Sequence, residues 1–211
     1  MPDSRKFILT SLAAFCTLLA GSIAGQPSLV QAHQAQPSPV TADYATSVVM
    51  LGTGTPKADP ERSGPAVAVV VGDRAYLFDA GPGIVRRAQA AVDRGNKALA
   101  IPKLDTLFIT HLHSDHTLGL PDFIFSPWVL GRNHNPRIYG PTGTANMVSH
   151  IIAAWSEDIA MRTGGLEEGS SEGYLPEVKE IKPGVVLEEG GVQIEALLVP
   201  HGSWEAAYSY R

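Results

Sequence analysis

The 211-residue chain is 44% hydrophobic and 18% charged, with 21 glycines and 16 prolines. That apolar content can bury one substantial core, and so much glycine and proline excludes a plain helical bundle or a coiled coil. The formal net charge is −5 and no run of Lys or Arg interrupts it, so the composition argues against a nucleic-acid partner, which usually meets a basic stripe.

The first 32 residues read as a secretory signal. Arg5 and Lys6 precede an apolar run over residues 7–20, and small-residue cleavage patterns end at Ala24 and Ala32. The expected product is exported, periplasmic or extracellular. The run falls short of the roughly 20 residues a membrane span needs, so no stable span is expected. The single cysteine, Cys16, lies in this leader, which leaves the mature chain without a disulfide. Residues 33–46 are polar and proline-bearing and read as a disordered linker. One domain is expected over residues 47–211.

Residues 47–51 form the first expected strand, closed by the turn Gly52-Thr53-Gly54-Thr55-Pro56. Residues 66–71 and 75–79 form a hairpin around Gly72-Asp73-Arg74. A helix follows over residues 84–92, stopped near Gly95. Residues 104–109 are a buried strand. Residues 121–130 make a short apolar helix that Pro127 kinks or ends. Residues 137–140 are another strand. Residues 144–162 keep the helical period through Met147, Ile151, Ala154 and Trp155, and predict one helix. After a Gly/Ser/Glu loop over residues 164–173, strands are expected at 177–181, 185–187, 192–199 and 208–211.

The chemistry concentrates in Thr110-His111-Leu112-His113-Ser114-Asp115-His116, which follows the apolar run Leu107-Phe108-Ile109. In an extended segment His111 and His113 point the same way. Asp115 and His116 come where the chain turns and can face a second ion. Imidazole and carboxylate suit zinc, or another borderline first-row ion such as manganese or iron. His201 ends the 192–199 strand as His111 ends the 104–109 strand, and a metal cage needs ligands from more than one element. His134 and His150 read as surface or capping histidines. Asp79 ends the hairpin, where it can cap a turn or support the metal loop.

The run His111-x-His113-x-Asp115-His116 after a buried strand resembles the signature of the metallo-β-lactamase superfamily of hydrolases. Leu51-Gly52-Thr53-Gly54-Thr55-Pro56, Phe78-Asp79-Ala80-Gly81, Tyr139-Gly140-Pro141-Thr142-Gly143, Val199-Pro200-His201-Gly202 and Tyr208-Ser209-Tyr210-Arg211 match in order. Gly202-Ser203-Trp204 after the histidine resembles the ribonuclease Z and arylsulfatase-like branch. The resemblance covers residues 47–211 and implies an α/β sandwich of αββα type with its C-terminal part missing.

The resemblance also implies a zinc-dependent hydrolase with His111, His113 and His201 on one metal and Asp115 and His116 on a second. Asp115 would handle the proton of the attacking hydroxide, and Asp79 would orient the metal loop from behind. Two further ligands of the family, a bridging aspartate and a last histidine, find no match here, so the chain is expected to be a C-terminally truncated version with impaired turnover. Small esters (sulfate, phosphodiester or lactone) are the expected substrates. The alternatives are tRNA 3′-processing, which the incomplete loop Asp59-Pro60-Glu61-Arg62 weakens, and a non-catalytic metal-binding fragment.

Overall fold

The computed structural model of the chain describes residues 45–167 and 169–211. The expected leader and nearly all of the expected linker lie outside them. Among the described residues no helix is long and apolar enough to cross a membrane.

Strands β1 (Thr46–Gly52), β2 (Ala66–Val71) and β3 (Arg74–Phe78) form an antiparallel meander. Helix α1 (Ile84–Asp93) and two tight 3₁₀ turns then lead to β4 (Thr106–Phe108), which pairs parallel to β3. The one-turn helix α2 (Ser114–Thr117) and helix α3 (Leu120–Val129) follow, and β5 (Arg137–Gly140) pairs parallel to β4. Helices α4 (Thr144–Ala154) and α5 (Ser156–Gly164) cross over to β6 (Glu177–Glu180), parallel to β5. These six strands form one sheet in sequence order. A second, antiparallel sheet contains β7 (Gly184–Glu189), β8 (Val192–Leu198) and β9 (Tyr208–Tyr210).

Alternation along the central strands produces two cores. Leu77, Leu107, Ile109 and Ile138 face the helices, where Ile84, Val85, Ala88, Phe123 and Ile124 cover them. Their neighbours Tyr76, Phe108 and Tyr139 face the second sheet and meet Val186, Leu187, Ile194, Ala196 and Tyr208. A period of two is what places consecutive residues on opposite faces of a strand. Phe78, Phe108 and Tyr139 occupy paired positions on adjacent strands. Their rings stack in series at 5.1 and 4.8 Å between centroids, and Tyr210 meets Phe108 edge-on at 5.4 Å. The layers therefore run helices, large sheet, small sheet, in agreement with the expected α/β sandwich.

Two departures from the expected elements have physical causes. The helix over 144–162 is broken at Trp155, whose backbone leaves the helical region with φ −102° and ψ 18°. That turn seats its indole on the Phe125 ring, with centroids 5.3 Å apart. Glu157 and Asp158 then occupy the first turn of α5, where carboxylates favour a helix start. Pro127, by contrast, does not end α3, which runs on to Val129. A proline has no N–H for the carbonyl four residues back, here that of Phe123. The guanidinium of Arg132 satisfies it at 3.1 Å.

Arg132 also bonds the carbonyls of Leu104 (2.6 Å), Ile124 (2.6 Å) and Gly173 (2.9 Å). It is 1% exposed. Burial lowers its pKa to about 10, still charged at neutral pH. At the same end of the large sheet, Arg137 at the start of β5 makes a fork to Glu189 at the end of β7, at 2.8 and 2.9 Å. Arg74 at the start of β3 reaches the same carboxylate at 2.9 Å. One glutamate of the small sheet thus ties two strands of the large one.

Candidate metal centre

The other end of the same strands carries the titratable cluster. β4 stops at Phe108 and β8 at Leu198, and in each case two residues lie between the strand end and its histidine, His111 or His201. Tyr208 N–H donates to the Thr110 carbonyl at 2.9 Å, which draws the two sheets together beside the cluster. Among the described residues, His111, His113 and His201 each offer one ring nitrogen within 4.8 Å of the others. His113 Nδ1 lies 2.8 Å from His111 Nε2 and 3.3 Å from His201 Nε2. His201 reaches them across 88 residues of sequence, on the same side of the sheet as His111.

Asp79 explains why this loop holds its shape. Its Oδ1 accepts the Thr110 N–H at 2.8 Å. Thr110 Oγ1 donates to the same carboxylate at 3.0 Å, and His116 Nδ1–H donates to its Oδ2 at 2.7 Å. Asp79 is buried and has φ 62°, the left-handed region that aspartate tolerates better than most residues. Behind it, Ala80 N–H donates to the His116 carbonyl (2.8 Å) and Gly119 N–H to the Ala80 carbonyl (2.7 Å). A Cβ on Gly119 would fall 2.4 Å from the Gly81 carbonyl oxygen, so the close approach of these backbones requires glycine there.

The hydrogen bonds also order the ring protons. Thr110 Oγ1 donates its own proton to Asp79, so it accepts from His111 Nδ1 at 2.8 Å. That leaves the His111 Nε2 lone pair facing the cluster. His116 spends Nδ1–H on Asp79 and keeps Nε2 free, 3.7 Å from Asp115 Oδ2. Trp204 Nε1–H donates to His113 Nε2 at 2.9 Å, which places the His113 proton on Nδ1, facing His111 Nε2; ligation through Nδ1 would move that proton to Nε2 and release the Trp204 bond. Burial, then the neighbouring His116 and His201, lower the His111 pKa to about 4, so it is neutral and able to ligate at neutral pH. Burial alone would lower that of His116 as well. The Asp79 hydrogen bond, with the charges of Asp79 and Asp115, outweighs it and raises the value.

Three imidazoles converging from two sheets, with carboxylates behind them, match the ligand chemistry of zinc. The arrangement unites His111, His113 and His201, puts His116 against them with ring centroids 4.2 Å from His111, and sets Asp115 beside His116. His134 pairs with Asp105 and His150 with the Asn146 carbonyl, both away from the cluster as expected. Sequence reasoning missed Trp204 as a partner of His113 and missed the short helix α2 that turns Asp115 and His116 inward. The Ser114-Asp115 start of that helix was the available signal.

A layered α/β sandwich with histidines gathered at the rim between its sheets has the build of a metallohydrolase. The chain belongs to the metallo-beta-lactamase superfamily, whose sequence profile matches residues 59–203. It is 34% identical over 157 residues to ribonuclease Z of Mycobacterium marinum, covering 73% of this chain and 54% of that protein. Ribonuclease Z of Mycobacterium avium is 36% identical over the same shares. The chain thus spans about half the length of these relatives. Among solved structures, human tRNase Z, short form, superposes with a TM-score of 0.59 at 20% identity, over 79% of this chain and 62% of that one. A metallo-beta-lactamase fold protein from Bacillus subtilis gives 0.56 at 18%, over 80% and 58%.

These likenesses overturn the expectation that nucleic acid is no partner, since the relatives are ribonucleases by name. That expectation relied on net charge and on the lack of a basic run. A charge total does not report which cations a fold gathers. Lys57 and Arg62 share a loop with Asp59 and Glu61, Arg62 lies 3.8 Å from Asp59, and Gly64 N–H to Pro82 carbonyl (3.0 Å) binds the loop's end to the segment leading from Asp79.

Proposed function

We propose that the chain acts in metal-dependent phosphodiester hydrolysis of the ribonuclease Z type, with RNA 3′ ends as substrate. The observation that carries this reading is the convergence of His111, His113 and His201 in front of the Asp79 network. These three would hold one ion, zinc by donor type and manganese or iron by the same chemistry, with Asp115 and His116 offering a second, weaker site. A bound divalent ion supplies Lewis acidity and makes water acidic enough to react near neutral pH. Asp79 holds Thr110 and His116 so that their neighbours need not reorganise. Asp115, half-buried at the first turn of α2, would accept the proton of the attacking water.

The test is calorimetric zinc titration followed by cleavage of a precursor tRNA, with and without chelator. Zinc binding with chelator-sensitive cleavage supports the reading. Absence of zinc binding overturns it. A second reading, hydrolysis of small aryl sulfates, phosphodiesters or lactones outside the cytoplasm, is favoured by the leader pattern of residues 5–32. It predicts that an aryl ester is turned over and precursor tRNA is not.

A further inference from the structure

Leu112, between the two histidines of the loop, opens onto a groove of about 680 Å³ formed with Gly143, Met147, Ile151, Ala154, Trp155 and the edge of Trp204. Its position is set by the same loop that carries the cluster, and Trp204 touches both. Among the described residues no Lys, Arg, Asp or Glu lines it, and Asn146 and His150 are its polar side chains beyond the indole N–H. A phosphate backbone would find no cation there. An uncharged apolar group would lose water against methionine, isoleucine and tryptophan surfaces.

The groove is built for a flat group. The break between α4 and α5 places Trp155 on its wall, and stacking on the buried Phe125, with ring planes 24° apart, fixes the indole. Trp155 remains 39% exposed. At the other end, Gly143 has φ 103°, and a Cβ there would come within 3.0 Å of Leu112 Cδ1. The missing side chain lets Leu112 lie flat as the floor. The volume lies in the range of small-molecule pockets and leaves room for a planar ring beside Trp155.

We propose that this groove binds an uncharged planar ring, aryl or nucleobase, attached to the ester group that sits at the histidine cluster. The inference rests on the metal-centre reading and adds what the substrate must carry beside its phosphate. Ring stacking on a protein aromatic gives on the order of tenfold in affinity.

The experiment titrates the zinc-loaded 211-residue chain with phenyl phosphate, methyl phosphate and adenosine 5′-monophosphate, followed by calorimetry. Phenyl phosphate is expected to bind roughly tenfold more tightly than methyl phosphate. Trp155→Leu, which keeps an apolar side chain but removes the stacking face, should bring the ratio near one. Ala154→Gln, at an exposed position of the groove, should do the same without touching the core. Tighter binding of the nucleotide than of phenyl phosphate would identify the ring as a nucleobase, and the reverse order an aryl ester; either supports the groove. Equal affinities for phenyl and methyl phosphate, with zinc bound, would overturn the ring site and leave the metal centre standing. Failure of zinc itself to bind would overturn the metal centre and this site with it.

Discussion

The two ends of the large sheet use charge in opposite ways. At the end where β3 and β5 begin, charges are tied to fixed partners: Glu189 is shared by Arg137 and Arg74, and Arg132 is wrapped in four carbonyls. At the end where β3 and β4 finish, imidazole nitrogens gather, with His113 Nδ1 2.8 Å from His111 Nε2 and 3.3 Å from His201 Nε2. Asp79 spends its full capacity on holding them there. The same strands run through both regions. One end is tied shut, and the other gathers three imidazoles that could hold a cation.

The sharpest way to break that contrast is His113→Ala. His113 is exposed, so thermal stability should change by no more than about 0.5 kcal/mol. Zinc affinity should fall by more than the roughly 10–100-fold that loss of a supporting partner costs. Calorimetry paired with a thermal melt checks both halves.

Arg132→Met reverses the pattern. It leaves four buried carbonyls short of a donor and should cost about 3 kcal/mol in chemical denaturation. Zinc affinity of the folded protein should not move. A large loss of affinity would mean that the two ends are coupled through β4.

Asp79→Ala should touch both properties. Zinc affinity drops roughly 10–100-fold, and the melt shifts down because Thr110 and His116 lose their acceptor. Unchanged zinc affinity in this variant would deny Asp79 any part in orienting the loop.

Glu189→Gln is the mildest case. Its pKa is lowered chiefly by the Arg137 hydrogen bond, against the opposing effect of burial. A lowered carboxylate pKa stabilises the fold above the unfolded value, and that stability is lost as pH falls through the folded one. The variant should therefore be less stable by about 1 kcal/mol at pH 7, with the difference closing in acid below the ordinary glutamate pKa. A difference that persists unchanged at pH 3 would show that packing, and not charge, fastens the two sheets.

The histidine loop was readable because its information is local. Four of the five residues fall within six positions, and a single apolar run before them fixes their place at a strand end. His201 was readable because it repeats that relation at a second strand. The crossover helices were readable by period but not at their junction, since the period continues across Trp155 and only its Phe125 contact breaks it. The Glu189 clamp and the Trp204 contact were not readable, because their partners lie 52 and 91 residues away. Arg132 was hidden differently. A lone arginine after a helix normally reads as surface, and the carbonyl freed by Pro127 becomes visible only when the chain folds back.

The ring series of Phe78, Phe108 and Tyr139 has a further consequence, for addressing. Each ring sits opposite the next in the pairing register, so the series acts as a ruler laid across the sheet. Sliding β4 by one residue would advance its tip by about 3.3 Å and turn every side chain to the opposite face. Leu107 or Ile109 would then stand among the aromatics, and Phe108 would be driven into the helical layer. The histidines begin three residues beyond Phe108, so their coordinates are counted from that ring. An aliphatic residue at position 108 would weaken the count long before it emptied the core, and would blur where the nitrogens come to rest.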